Sequence, residues 1–184
     1  MVRRALLVML SALCSSAMFA QSPADEAAVI SATLHRLVTV RRPDLRAGFL
    51  VAPTTTGDLA AEASDNPSVK GLDEAWSDYR ARNRAPLPIP SRVFPRSAKV
   101  AHINRQGSSY DWVEVVRQFP GAALIVDVSR PGFQDGGNTA VVRCDVIAVN
   151  GPVTQMVSVF EQTTNGWLES ESYFPVGKKS ASPN

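Results

Sequence analysis

His35 and His102 are the only histidines in the chain, which limits general acid–base and metal chemistry from the outset. A zinc site needs three or four suitable ligands. Neither histidine has a second histidine, a cysteine or a clustered carboxylate at ligand spacing, so no metal and no cofactor is read. A general base, if one operates, is His35, beside Val38 at the edge of a helical apolar stripe, or an inward strand carboxylate such as Asp127 or Asp145. Cys144 shares a strand face with Ala140, Val142, Val146 and Ala148. Alternation turns it inward with no basic neighbour on that face, so it reads as a small buried hydrophobe rather than a nucleophile.

Ser129-Arg130-Pro131-Gly132-Phe133 sets a hydroxyl beside a guanidinium. It lacks the Gly-x-Ser-x-Gly elbow that presents a nucleophile. Pro131 and Gly132 at the centre of a type II turn account for it. Arg130 is left to pair with a carboxylate, internal or from a ligand. Trp76, Tyr79, Trp112, Trp167 and Tyr173 stand at helical spacing or beside turns, where aromatics more often build core than line a sugar site.

The most unusual feature is a run of cations: Arg80, Arg82, Arg84, Arg92, Arg96, Lys99 and Arg105, with no acid between the first and the last. Two readings stay open. The run is either a solvated segment that pairs with the protein's own acids, or a rim for an anionic partner. Nucleic acid is discounted, because no nucleic-acid-binding motif accompanies the charge.

These groups must be held by elements the sequence also marks. Ser22-Pro23-Ala24-Asp25 is a helix start, and Ala27, Ile30, Leu34, Leu37 and Val38 follow at helical spacing until Pro43. Phe49-Leu50-Val51 reads as a short strand, and Leu72, Trp76 and Tyr79 line a second helix. Pro86, Pro88, Pro90 and Pro95 impose an extended surface path before a short strand around Lys99 to Ile103. Ser108 to Asp111 opens a third helix that Pro120-Gly121 ends. Ala122 to Val128, Thr139 to Val149, Val153 to Glu161 and Trp167 to Phe174 are β-rich and separated by turn residues, including Asn150-Gly151 and Asn165-Gly166. The expected fold is α+β: an N-terminal helix on a four-stranded antiparallel meander, with two further short helices and one or two short extra strands. In the third β-rich run, Met156 and Phe160 lie on one face and Val157 and Val159 on the other, which requires two covered faces or a bulge.

Arg3 and Arg4 precede the apolar run Ala5 to Leu13 and small residues ending near Ala20, the order of a cleaved export signal too short to span a bilayer. Cleavage is expected before Gln21, with Ser15-Ser16-Ala17 as a second site. Leu13 argues against a lipoprotein anchored at Cys14. Of 184 residues, 164 then remain, with seventeen cations against seventeen acids and Cys144 as the one cysteine. Residues 21–176 are expected to form a single α+β domain large enough for its own core, and 177–184 a disordered tail.

The stretch from Trp112 to Trp167 resembles a group of small exported bacterial proteins of unknown function. The resemblance rests on Trp112, Phe119-Pro120, Ser129-Arg130-Pro131-Gly132-Phe133, Ala140-Val141-Val142 and Gly166-Trp167, with Tyr79-Arg80-Ala81-Arg82-Asn83 upstream. The chain departs from the pattern at Leu124 and Gln134. The resemblance implies export and a helix-on-sheet layout similar to cystatin-like or NTF2-like folds, and implies no activity. The expected function is a non-catalytic binding or interaction domain in the periplasm or outside the cell. Its partner would be an anionic envelope component or another exported protein. The alternatives are a small cavity enzyme using a His or Asp base, and an assembly role through strand edges or the Pro86 to Pro95 segment.

Overall fold

The computed structural model describes residues 22–56, 71–103, 105–106, 109–134, 136–149, 151 and 153–173. The expected export signal and the tail 177–184 lie outside them. Helix α1 (Pro23–Arg36) begins as the sequence predicts. The Ser22 hydroxyl accepts from Asp25 N and the Asp25 carboxylate accepts from Ser22 N, which satisfies amides that a helix start leaves open. The helix does not run regularly to Pro43. It widens into a π-helical turn at Leu37–Arg41, closed by Arg42 N donating to Leu37 O, and then tightens into a 3-10 turn at Pro43–Ala47.

Strands β1 (Phe49–Val51), β2 (Ala98–Val100), β5 (Leu124–Val128), β7 (Thr139–Ala148), β8 (Val153–Thr163) and β9 (Gly166–Tyr173) form one sheet in the order β2-β1-β5-β7-β8-β9. The two-residue β6 (Gly132–Phe133) also pairs with β7, and β3 (Arg105–Gln106) pairs separately with β4 (Ser109–Tyr110). The four long runs pair antiparallel as expected, but the sheet is mixed rather than a simple meander, because β1 lies parallel to both β5 and β2. The physical reason is the connection. Helix α2 (Asp73–Arg82) and the proline-rich segment carry the chain back to its starting end, so β2 enters in the same direction as β1. Helix α3 (Trp112–Gln118) is shorter than expected. Ser109 and Tyr110 belong to β4, and Asp111 caps the helix by accepting from Val113 N and Glu114 N.

Both faces of the sheet are covered. On one, Val29, Ile30, Leu34 and Leu37 pack on Val126, Val142, Cys144, Met156 and Phe160. On the other, Ala75, Trp76 and Tyr79 of α2 pack on Val141, Val157 and Val159, while Val115 of α3 packs with Leu50, Ile125 and Ile147. The split pattern of β8 therefore reflects two apolar layers. There is also an irregularity, since Val159 pairs with Glu171 and Phe160 with Glu169, bulging β9 at Ser170.

Gly132 sets the height of α2. A Cβ there would stand 2.2 Å from Ala75 O and 2.3 Å from Tyr79 N, both backbone atoms that cannot swing aside. Gly132→Ala is expected to destabilise the fold by about 3 kcal/mol, the upper range for overpacking a closed core. Urea unfolding checks this, with Gly121→Ala as the comparison: that turn glycine has open space around it, so its substitution meets only the backbone strain of φ 84°, about 1–2 kcal/mol.

Candidate functional site

Three groups of polar side chains are built on this frame. The first joins all three layers. Glu26 of α1, 5% exposed, accepts from Arg82 Nη1 of α2 at 2.5 Å, and from Arg130 Nη2 and Nε at 2.7 and 3.1 Å. Arg82 Nε also donates to Asp78 at 2.6 Å, and its guanidinium lies over the Phe133 ring at 5.1 Å. Asn83, fully buried, donates to the carbonyls of Tyr79 and Arg130 and accepts from Arg130 N. Asp78 accepts from Phe133 N at 2.8 Å. The Tyr79–Asn83 and Ser129–Phe133 segments thus form one packed unit. Ser129 is no nucleophile by placement: it is buried, with its hydroxyl accepting from Arg143 N.

The second group is a polar floor on the α2/α3 face. Asp127 of β5 stands directly across from Asp145 of β7, with Gln155 of β8 next in register. Both carboxylates are buried. The Tyr110 hydroxyl donates to Asp127, and Arg143, 2% exposed, grips Asp145 through Nε and Nη2 at 2.8 and 3.0 Å. Above them lie the hydroxyls of Tyr79 and Tyr173, buried and making no hydrogen bond among the described residues. Burial raises the Tyr79 phenol, partly offset by the nearby Ser129 hydroxyl, which stands out of hydrogen-bonding geometry. Burial, and then Tyr79 itself, push Tyr173 up to about 12.

The structure separates the base candidates. His35 is exposed on α1, and α1 covers the sheet face opposite to Asp127 and Asp145, so histidine and carboxylates do not meet. His102 is exposed as well. Cys144 is buried with its thiol pushed well above the ordinary range, first by burial and then by Asp145 and Asp127, which fits the inert reading. No group of three or more potential metal-ligating side chains occurs among the described residues.

The third group is the cationic run. Arg82 leaves it, bound to Glu26 and Asp78. Arg80, Arg84, Arg92, Arg96 and Lys99 are exposed and make no ion pair with a described residue. The Arg105 side chain lies outside the described residues. Arg46, outside the run in sequence, joins this set: it is exposed, and among the described residues its guanidinium donates to Thr39 O and pairs with no acid. Its signal was isolation from the run in sequence; only the fold brings residues 46–48 beside Ser97, through Phe49 N donating to Ser97 O.

No family model, curated protein or solved structure matches the chain. No helix among the described residues is long and apolar enough to cross a membrane.

Two outcomes follow from this chemistry. Glu26→Gln takes from Arg130 the carboxylate it meets and from Arg82 one of its two, and is expected to destabilise by roughly 2–3 kcal/mol in chemical denaturation, below the ~3–5 kcal/mol of a fully buried broken pair because Arg82 keeps Asp78 and both arginines keep some solvent. The second concerns alkaline pH. Tyr79 and Tyr173 lose protons later when folded than in the unfolded chain, where phenols ionise near pH ~10. Their contribution is complete below about pH 10 and is lost as pH rises through their raised folded values, which for Tyr173 is about 12. Urea midpoints taken from about pH 9 to 11.5 should fall, and Tyr79→Phe with Tyr173→Phe should flatten the fall.

Proposed function

We propose that the chain is an exported, non-catalytic binding domain that holds an anionic component of the cell envelope through its cationic surface segment. One observation carries this reading: the protein distributes its arginines unequally. Arg36 and Arg41 meet Glu169, Arg82 and Arg130 meet Glu26, and Arg143 meets Asp145. Arg80, Arg84, Arg92, Arg96 and Lys99, from the same acid-free stretch as Arg82, are left at the surface with no ion pair to an acid among the described residues. Exposed like charges close together raise the local potential and favour a counter-charged partner. The export signal read at residues 1–20 supplies the compartment, and the resemblance to small exported proteins agrees with it.

The catalytic alternative has less support. Asp127 and Asp145 do stand together, but each is buried and already held, by Tyr110 and Arg143 respectively, whereas a general base needs direct reach to its substrate. In this reading the polar floor fixes the packing of α2 and α3 on the sheet.

The test is retention of the purified protein on immobilised envelope material. Retention at low salt is expected to fall at least ~10-fold when Arg84, Arg92, Arg96 and Lys99 are all replaced by Gln, with circular dichroism unchanged. Arg117→Gln, an exposed cation already paired with Glu114, should leave retention intact. Equal retention of the two variants would overturn the charge-based reading.

A further inference from the structure

The proline-rich segment does not wander over the surface. Thr55 N donates to Leu87 O, Ile89 N donates to Pro53 O and Phe49 N donates to Ser97 O. Thr54 and Pro88 form an antiparallel bridge. Residues 87 to 89 therefore run antiparallel beside residues 55 to 53; the chain then turns through Ser91–Val93 and comes back to the start of β1, where Ser97 meets Phe49. The chain then turns into β2, which is the sheet's edge strand, with Lys99 in register with Leu50. Arg84 precedes this path at one end, Arg92 sits within it, and Arg96 lies at the other. Six residues of extended chain separate the ends, a rise of about 20 Å. Pro86, Pro88, Pro90 and Pro95 and the turn Ser91–Val93 hold the path, so the cations are spaced before any partner arrives.

We infer that this edge is built for an extended linear polyanion lying along it, rather than for a single anionic group. This rests on the anionic-partner reading above and adds the shape of the partner. A point anion would need its cations converging on one spot, whereas the backbone sets Arg84 three residues before the Leu87 contact with Thr55, Arg96 next to the Ser97 contact with Phe49, and Arg92 on the turn between them. A membrane surface fits less well. Leu87 is the one large exposed hydrophobe between Arg84 and Lys99, so the strip has little to insert beneath headgroups.

Titration of the protein with inorganic polyphosphate of graded length, at equal phosphate concentration, tests the inference. Chains long enough to cover about 20 Å are expected to bind at least ~10-fold more tightly per phosphate than inorganic phosphate or triphosphate, with no further gain beyond that length. Four contacts, from Arg84, Arg92, Arg96 and Lys99, on a flexible chain predict a log–log salt slope of about −3, or about 60-fold weaker binding between roughly 50 and 200 mM salt. Replacing Arg92 and Arg96 by Gln, in the middle and at the base of the strip, should bring long-chain affinity down to the triphosphate level. Equal affinity per phosphate at every length would overturn the linear geometry while leaving an anionic partner standing. Tighter binding to phosphatidylglycerol vesicles than to the longest polyphosphate would overturn it in favour of a membrane surface. Binding to none of these anions would overturn both the linear geometry and the anionic-partner reading.

Discussion

The carboxylate of Glu26 is the point at which the three layers are tied. It belongs to the helix on one face of the sheet, and it accepts from Arg82, on the helix of the other face, and from Arg130, in the loop that leaves β5. Removing any of these charged groups from water is costly, and the cost is offset only where each finds its counter-charge in good geometry. The geometry depends in turn on Gly132, because α2 reaches Glu26 only by settling onto a position with no side chain. Asn83 then closes the joint by satisfying the backbone of Arg130. Electrostatics, close packing and backbone satisfaction constrain the same few residues.

That joint sorts the cations. Arg82 sits two residues from both Arg80 and Arg84 in a stretch without acids, yet among the described residues it alone of the three meets carboxylates. The helical turn explains this: Arg82 falls one turn after Asp78 and close to the buried Tyr79 side of α2, while Arg80 is directed to solvent. A basic run that looks uniform in sequence is therefore two populations, one structural and one exposed.

The polar floor shows how a doubly covered sheet accommodates charge. Strand β7 is buried from Ala140 to Ile147, and it places Arg143 and Asp145 between the apolar contacts of α2 and α3. Two residues apart on one face, they are positioned to pair with each other, and the bidentate contact satisfies both. Asp127 is met from the other side by Tyr110. These groups give α2 and α3 a defined seat that apolar contacts alone leave less specific.

Much of the frame was legible in the residues. The Ser22-Pro23-Asp25 start of α1, the four long strands, the inward Cys144 and the two-sided pattern of β8 all depend on local chemistry and on periods of 3.6 or 2, which a linear sequence carries directly. The π-helical end of α1, the parallel entry of β1 and β2, and the pairing of Ser109-Tyr110 were not, because each depends on hydrogen bonds to segments far along the chain. Asp127 and Asp145 were identifiable as inward carboxylates, but their alignment across two strands is a matter of register. His35 was placed beside its apolar stripe, yet which face of the sheet that stripe covers was decided by packing, and it set the imidazole on the far side from both aspartates. By itself the sequence determined which residue types exist and which local elements they form. The tertiary structure decided which charges neutralise one another and which stay exposed, because pairing depends on distance in space, and residues 26, 82 and 130 become neighbours only when both helices close on the sheet.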